Sequence, residues 1–411
     1  MAANMIDIST KRDAPLSSIS VEETTERLWD VIVCGAGPAG SVAARQIAQR
    51  GLDVLLVDKA SFPRSKVCGC CLNGTALSAL EAIGLGEITS RLSAPLLHTW
   101  QLYTRNSQAK CSLPVGAALS REALDQMLAC EAIKAGASLL ENSQATITDQ
   151  GDEQCVVRLS HLGAHYDVRA KVVIAADGLS GGVASAVRDL PTEVNRSSRL
   201  GAGTILNDGP SHYESGTIYM SSSRGGYVGL VRLEDGRLDI AAALDREAVQ
   251  QAGGPAATAM NILKEVSLPV PEGLAESSWR GTPVLTRRRV KAAAKRVFLI
   301  GDAAGYIEPF TGEGIAWALV SGIYVAPCAA KAVDKWEPEF ADQWTKLHRR
   351  LLGKRQRSCR LVGKLLRTPL LADGAARLLR IAPWLARPLI RAINRPMTDN
   401  IHPANEPAAS L

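Results

Sequence analysis

Aromatic side chains are scarce in this 411-residue chain, where Phe, Tyr and Trp together make up 4%. A nucleic-acid surface built on base stacking needs aromatics interleaved with basic residues, so that partner is set aside. No run of about 18 uninterrupted apolar residues exists, and no membrane-spanning helix is expected. Residues 1–27 are polar and carry no apolar stretch of the secretory kind, so they read as a disordered leader and the protein as cytoplasmic. Metal-ligand pairs are missing too. The nine cysteines include Cys68, Cys70 and Cys71, but no second pair at zinc-site spacing and no convincing partner among the six histidines accompany them. No metal is expected, and free thiols in a reducing compartment are.

What is present is charge in one place and glycine in two. Between Lys346 and Arg395 there are 14 Lys or Arg against one acid, Asp373, although the whole chain is only +6. Leu, Ile and Trp384 interleave with these basic residues at helical spacing, broken by Pro369, Pro383 and Pro388. Two readings of this tail stand: amphipathic helices meeting an anionic membrane surface, or a helical cap with a solvated basic face.

The first glycine segment runs Trp29-Asp30-Val31-Ile32-Val33-Cys34-Gly35-Ala36-Gly37-Pro38-Ala39-Gly40. An apolar strand, Gly-x-Gly-x-x-Gly, an Ala-rich helix and a second strand ending at Asp58-Lys59 form a βαβ start. Gly35 and Gly37 permit a tight turn and close approach of backbone N–H groups to a pyrophosphate, while Gly40 allows close helix–sheet packing. Asp58 suits two ribose hydroxyls and repels a 2′-phosphate, so the nucleotide is FAD or NAD rather than NADP. The second segment, Arg296-Val297-Phe298-Leu299-Ile300-Gly301-Asp302-Ala303-Ala304-Gly305, puts Asp302 at a strand's carboxyl end, where its carboxylate suits a polyol such as ribityl. Pro309-Phe310-Thr311-Gly312-Glu313-Gly314-Ile315 then opens an apolar helix whose N-terminal amides face developing negative charge on a reduced flavin ring.

With these residues in view the chain resembles the FAD-dependent group that includes aromatic-ring hydroxylases, geranylgeranyl reductases and flavin halogenases, over about residues 28 to 345. The resemblance implies FAD as cofactor and NAD(P)H as electron donor. It implies that Arg121, in Leu119-Ser120-Arg121-Glu122, lies near the pyrophosphate and that Asp177, in Ala175-Ala176-Asp177-Gly178, closes the middle strand. An arginine such as Arg188 follows sooner in relatives; here about four residues, Leu179 to Gly182, intervene. The run Arg64-Ser65-Lys66-Val67-Cys68-Gly69 is similar to a stretch beside the isoalloxazine ring in geranylgeranyl reductases and several halogenases. Cys68 is then the catalytic candidate, with Arg64 and Lys66 lowering its thiol pKa, against the alternative of a tight turn with inert cysteines. Glu308 and Glu313 are acid–base candidates, Glu313 equally well a helix-start Glu paired with backbone amides, and Arg287-Arg288-Arg289 is either a solvated run or a phosphate contact.

The expected fold is mixed α/β: a Rossmann-like FAD domain (28–95, 116–190, 281–345) with an inserted antiparallel substrate domain (96–115, 191–280) and a basic helical tail (346–411). The strand Gly226-Tyr227-Val228-Gly229-Leu230-Val231 lacks the Trp and Pro that geranylgeranyl reductases carry there, which implies a pocket that is roomier or differently shaped. The Trp-x-Trp-x-Ile-Pro signature of tryptophan halogenases is absent. The expected activity is therefore FAD-dependent oxidation or reduction of a small apolar molecule. Monooxygenation leads, geranylgeranyl-reductase-like C=C reduction comes second, and a flavin-binding accessory protein docking a partner through the tail is third.

Overall fold

A computed structural model describes residues 16–187, 189–195, 197–308, 310 and 312–396. Arg188, Pro309 and Thr311 lie outside the described residues, as do residues 1–15 of the expected leader. The leader reading does not extend to residues 16–27. The Leu16 and Ser17 N–H groups donate to the buried Glu141 carboxylate at 2.6 and 3.1 Å, and Ser18 N–H donates to Leu139 O at 2.9 Å. Ser20 and Glu23 then form a capping box for the short helix Val21–Thr25. Polar composition was misleading here because the polar groups bind backbone rather than water.

The main sheet runs Ala293–Ala294, Val297–Leu299, Ala164–Ala175, Leu28–Cys34, Val54–Val57, Ser138–Leu140, parallel from Val297–Leu299 onward. Strands Ser143–Gln150 and Cys155–His161 extend it as an antiparallel meander. Its central strands are continuous apolar runs because helices bury both faces, the expected pattern for a parallel sheet. The chain leaves Leu28–Cys34 toward Val54–Val57 on one side and finds Ala164–Ala175 on the other. That reversal opens a crevice at the carboxyl ends of the strands, where Gly35, Asp58 and Asp177 all lie.

Helices Pro38–Ala48 and Gly314–Asp334 cross closely on one face. Gly322 makes this possible: a Cβ there would run into the Ala39 carbonyl oxygen and lie 3.3 Å from Ala43 N. Helix Gly314–Asp334 is long and apolar enough by composition to cross a membrane, yet 72% of its most apolar window is buried inside the fold.

The second sheet has seven strands, in the order Arg280–Val284, Leu200–Leu206, Leu238–Leu244, Gly226–Arg232, Thr217–Ser223, Thr99–Tyr103, Gln108–Ser112. Side chains alternate between its faces. Val228, Leu230, Leu238 and Ile240 pack against helix Pro255–Glu265, while Tyr227, Gly229, Ala241 and Ala243 look toward a cavity.

The tail is helical: Glu339–Leu366, Pro369–Ile381, a 3-10 turn Pro383–Ala386, and Arg387–Asn394. Pro369 and Pro383 start new helical segments, and Pro388 sits in the first turn of the last helix, where a missing N–H is harmless. Trp344, Leu352, Cys359 and Leu366 are buried along the long helix, and Arg367 pairs with the buried Glu308 at 2.9 Å. The tail therefore packs on the body as a cap.

Candidate active site

Gly35 sits at φ 109° and its N–H donates to Val57 O at 2.7 Å, which folds the first turn back over the neighbouring strand. A Cβ there would collide with the Ala176 carbonyl, and a Cβ on Gly40 would collide with that of Gly35. At Gly37 a Cβ would lie 3.6 Å from an Arg64 guanidinium nitrogen and 3.7 Å from one of Arg121. Two cations therefore flank the turn. Arg121 is buried and makes a bidentate pair with Asp125 at 2.8 and 2.6 Å, which fixes its fork. Arg64 reaches both Asp58 and Asp125 at 3.3 Å. Asp58 is buried, accepting from Ala36 N–H at 2.8 Å and Ala60 N–H at 3.0 Å, while Lys59 is exposed and lines neither cavity described below.

A narrow cavity of about 130 Å³ follows this turn, lined among others by Gly37, Pro38, Ala39, Arg121, Gly301, Asp302, Gly312, Gly314 and Ile315, from four separate stretches of chain. Asp302 lies in a 3-10 turn, partly exposed, with Lys66 Nζ at 3.7 Å. Asp177 stands at the rim, accepting from Val183 N–H at 2.8 Å, so the residues from Leu179 to Gly182 bring a short helix back to be capped by it. Burial raises its pKa. Glu313 is buried and paired with Arg355 at 3.2 Å, and Glu308 is paired with Arg199 and Arg367 at 3.2 and 2.9 Å. Both carboxylates are thus neutralised by arginines, which corrects their reading as acid–base groups. Arg287–Arg289 is a strand paired with Thr192–Val194, not a free loop.

Several features fit FAD. Arg64 Nε and Asp177 Oδ1 are buried beside the glycine turn without a hydrogen-bond partner among the described residues, the condition of groups shaped for a polar ligand. The glycine turn, the flanking arginines and the carboxylate at Asp302 match in order a pyrophosphate and a polyol.

The narrow cavity shares Lys66, Val67, Cys68, Gly69, Cys71, Asp302, Tyr306 and Gly312 with a second cavity of about 490 Å³. This larger space is apolar. Small residues of the second sheet, Gly201, Gly229, Ala241 and Ala243, leave the room, and Trp100, Tyr227 and Phe310 form an edge-to-face aromatic wall. Leu365, Leu378, Leu385, Leu389 and Ile393 of the tail close the other side.

Cys68 stands where the cavities meet. Cys70 adopts φ 50°, a left-handed conformation costing about 1–2 kcal/mol for a residue with a side chain, and its N–H is directed at Cys68 Sγ at 3.4 Å. The Cys70 contact draws the Cys68 thiol down to about 6, helped by the Arg121 charge and opposed by burial. Cys70 itself is pushed up by the same contact and by burial. Sequence reasoning assigned this lowering to Arg64 and Lys66; Arg121 is the cation that acts. Behind the cysteines lies Asp239, buried, with one carboxylate oxygen lacking a hydrogen-bond partner among the described residues. Burial and the Cys68 charge raise its pKa well above the usual range. Asp239 and Tyr306 were missed in the sequence. An acid between Leu238 and Ile240, on the alternate face of an otherwise apolar strand, was the signal for the first.

The family profile described as FAD binding domain matches residues 29–332. The chain is 28% identical over 328 residues to digeranylgeranylglycerophospholipid reductase 2 of Methanosphaera stadtmanae, covering 74% of this chain and 78% of that protein. The solved structure of the flavin-dependent brominase Bmp2 superposes with a TM-score of 0.73 at 17% identity, covering 90% of this chain and 94% of that one. A geranylgeranyl bacteriochlorophyll reductase-like protein from Thermoplasma acidophilum gives 0.69 at 20% identity, covering 88% and 98%. At these identities the structural likeness speaks for the fold.

Proposed function

The chain belongs to the FAD-binding-domain family as an FAD-dependent oxidoreductase, and from that premise we propose that it saturates C=C bonds in a long isoprenoid-type chain, with NAD(P)H as the source of electrons. The observation that carries this reading is the position of Cys68 between a nucleotide-shaped cleft and a larger apolar cavity. The cleft would hold FAD, whose chemistry when bound would be hydride donation to a carbon in the cavity. Gly35, Gly37, Gly40, Arg64 and Arg121 would hold the pyrophosphate, Asp58 the ribose, Asp302 the ribityl chain, and the amides at Gly312–Ile315 the ring edge. Lys66, with its Nζ 3.7 Å from Asp302, aims that carboxylate. An isolated double bond needs a proton as well as a hydride. Cys68, drawn down to about 6, is an acid matched to neutral operation. Asp239, whose pKa is raised by burial and by the Cys68 charge, lies behind the cysteines and opposes a second negative charge there. The reductase names of curated relatives support the same substrate class.

Oxygen insertion is the second reading, favoured by the apolar lining, which keeps water from reactive species equally well. The two differ in what reoxidises the enzyme. Photoreduced enzyme mixed without oxygen with a geranylgeranyl-chain lipid recovers the oxidised flavin spectrum if the bond is saturated. Recovery that waits for oxygen overturns the reductase reading.

A further inference from the structure

The larger cavity reaches the surface where the tail covers it, and the tail's outer side is both apolar and cationic. Helix Pro369–Ile381 turns Ala372, Asp373 and Ala376 inward, and Asp373 is pinned by the Asn106 side-chain amide at 2.7 Å. Outward it presents Leu370, 82% exposed, and Ile381, 80% exposed, followed by Trp384 at 59%. Arg377, Arg380, Arg387 and Arg391 are exposed on the same two helices. Leu378 and Leu385 belong to both places: they line the cavity and are 53% and 39% exposed. The last helix, Arg387–Asn394, buries no side chain fully. It is latched at its end, where Gly74 N–H donates to Asn394 Oδ1 at 2.7 Å and Arg355 Nη1 donates to Ile393 O at 3.0 Å.

We propose that residues 369–394 dock on an anionic lipid bilayer and form the passage by which an apolar chain moves from the lipid into the cavity. The passage rests on the apolar-substrate reading above. Scattered aliphatic side chains with one tryptophan, bordered by guanidinium groups, match the acyl boundary and the anionic headgroups of a bilayer. A passage at Leu378 and Leu385 spares the chain any transit through water.

The test uses full-length, FAD-loaded protein, vesicles of phosphatidylglycerol and phosphatidylcholine, vesicles of phosphatidylcholine alone, and a dansyl-labelled long-chain alcohol. Wild type sediments with the anionic vesicles, less as salt is raised, and takes up the alcohol from them. The L370E/I381E/W384E variant changes only exposed positions. It loses about tenfold or more of both vesicle binding and uptake from vesicles, while uptake from cyclodextrin and FAD content stay at wild-type levels. Equal sedimentation of wild type with both vesicle types, or equal uptake from vesicles by the two proteins, overturns the proposal. So does a wild-type dimer that the variant converts to monomer without any vesicle binding. Wild type that binds vesicles but takes up no alcohol from cyclodextrin removes the substrate reading, and the passage with it, leaving lipid docking alone.

Discussion

At the scale of single residues, Cys68 concentrates the chemistry because three neighbours act on one sulfur. The Cys70 contact and the Arg121 charge favour the thiolate, and burial opposes them. A thiol depressed from its usual value toward 6 reacts with iodoacetamide at pH values where ordinary thiols are protonated. Peptide mass spectrometry across a pH series is therefore expected to show Cys68 labelled with a midpoint near about 6. The linkage has a definite sign: the favoured thiolate stabilises the fold fully above the usual thiol range, and that contribution is lost as pH falls through about 6. Cys68→Ala is expected to keep its FAD and lose most C=C saturation; retained saturation removes the thiol from the mechanism. Asp302→Ala has the opposite profile. Losing a charge-assisted bond costs roughly 1.5–3 kcal/mol, so FAD affinity falls about 10- to 100-fold by equilibrium dialysis, with the fold intact by circular dichroism.

At the scale of elements, the crossing of Pro38–Ala48 with Gly314–Asp334 sets the distance between the glycine turn and the amides at Gly312–Ile315. A side chain at position 322 meets backbone atoms, which cannot yield as a flexible side chain would. Gly322→Val is expected to cost about 1–3 kcal/mol or more, read as a lower Tm, and to weaken FAD binding by spreading the two helices. An unchanged Tm would show that the crossing tolerates separation. The βαβ start was legible in the sequence because strand, glycine turn and terminal acid are local and each has a fixed spacing. Gly229 lines the larger cavity, where its strand was expected to lie over the substrate. Arg64 and Arg121 meeting over Gly37 was legible only as separate candidates, since their sites lie on different elements. Asp239 and Tyr306 were not found, because what gives them meaning is burial beside Cys68, set by a sheet packing against a distant loop.

At the scale of the whole molecule, the tail changes the picture most. Its charge count points to a surface partner, whereas its leucines line the cavity and its arginines hold the buried carboxylates Glu308 and Glu313. Cap and surface are the same element seen from two sides. The molecule then reads as one path: apolar chain between tail and second sheet, Cys68 at the junction, nucleotide along the parallel sheet. The most direct check of that path is product mass from a single anaerobic turnover of dithionite-reduced, FAD-loaded enzyme with a geranylgeranyl-chain lipid. The account predicts product heavier by two hydrogens per bond reduced, with no oxygen required. A lipid that stays unchanged without oxygen, and gains one labelled oxygen atom when labelled oxygen is admitted, would contradict it.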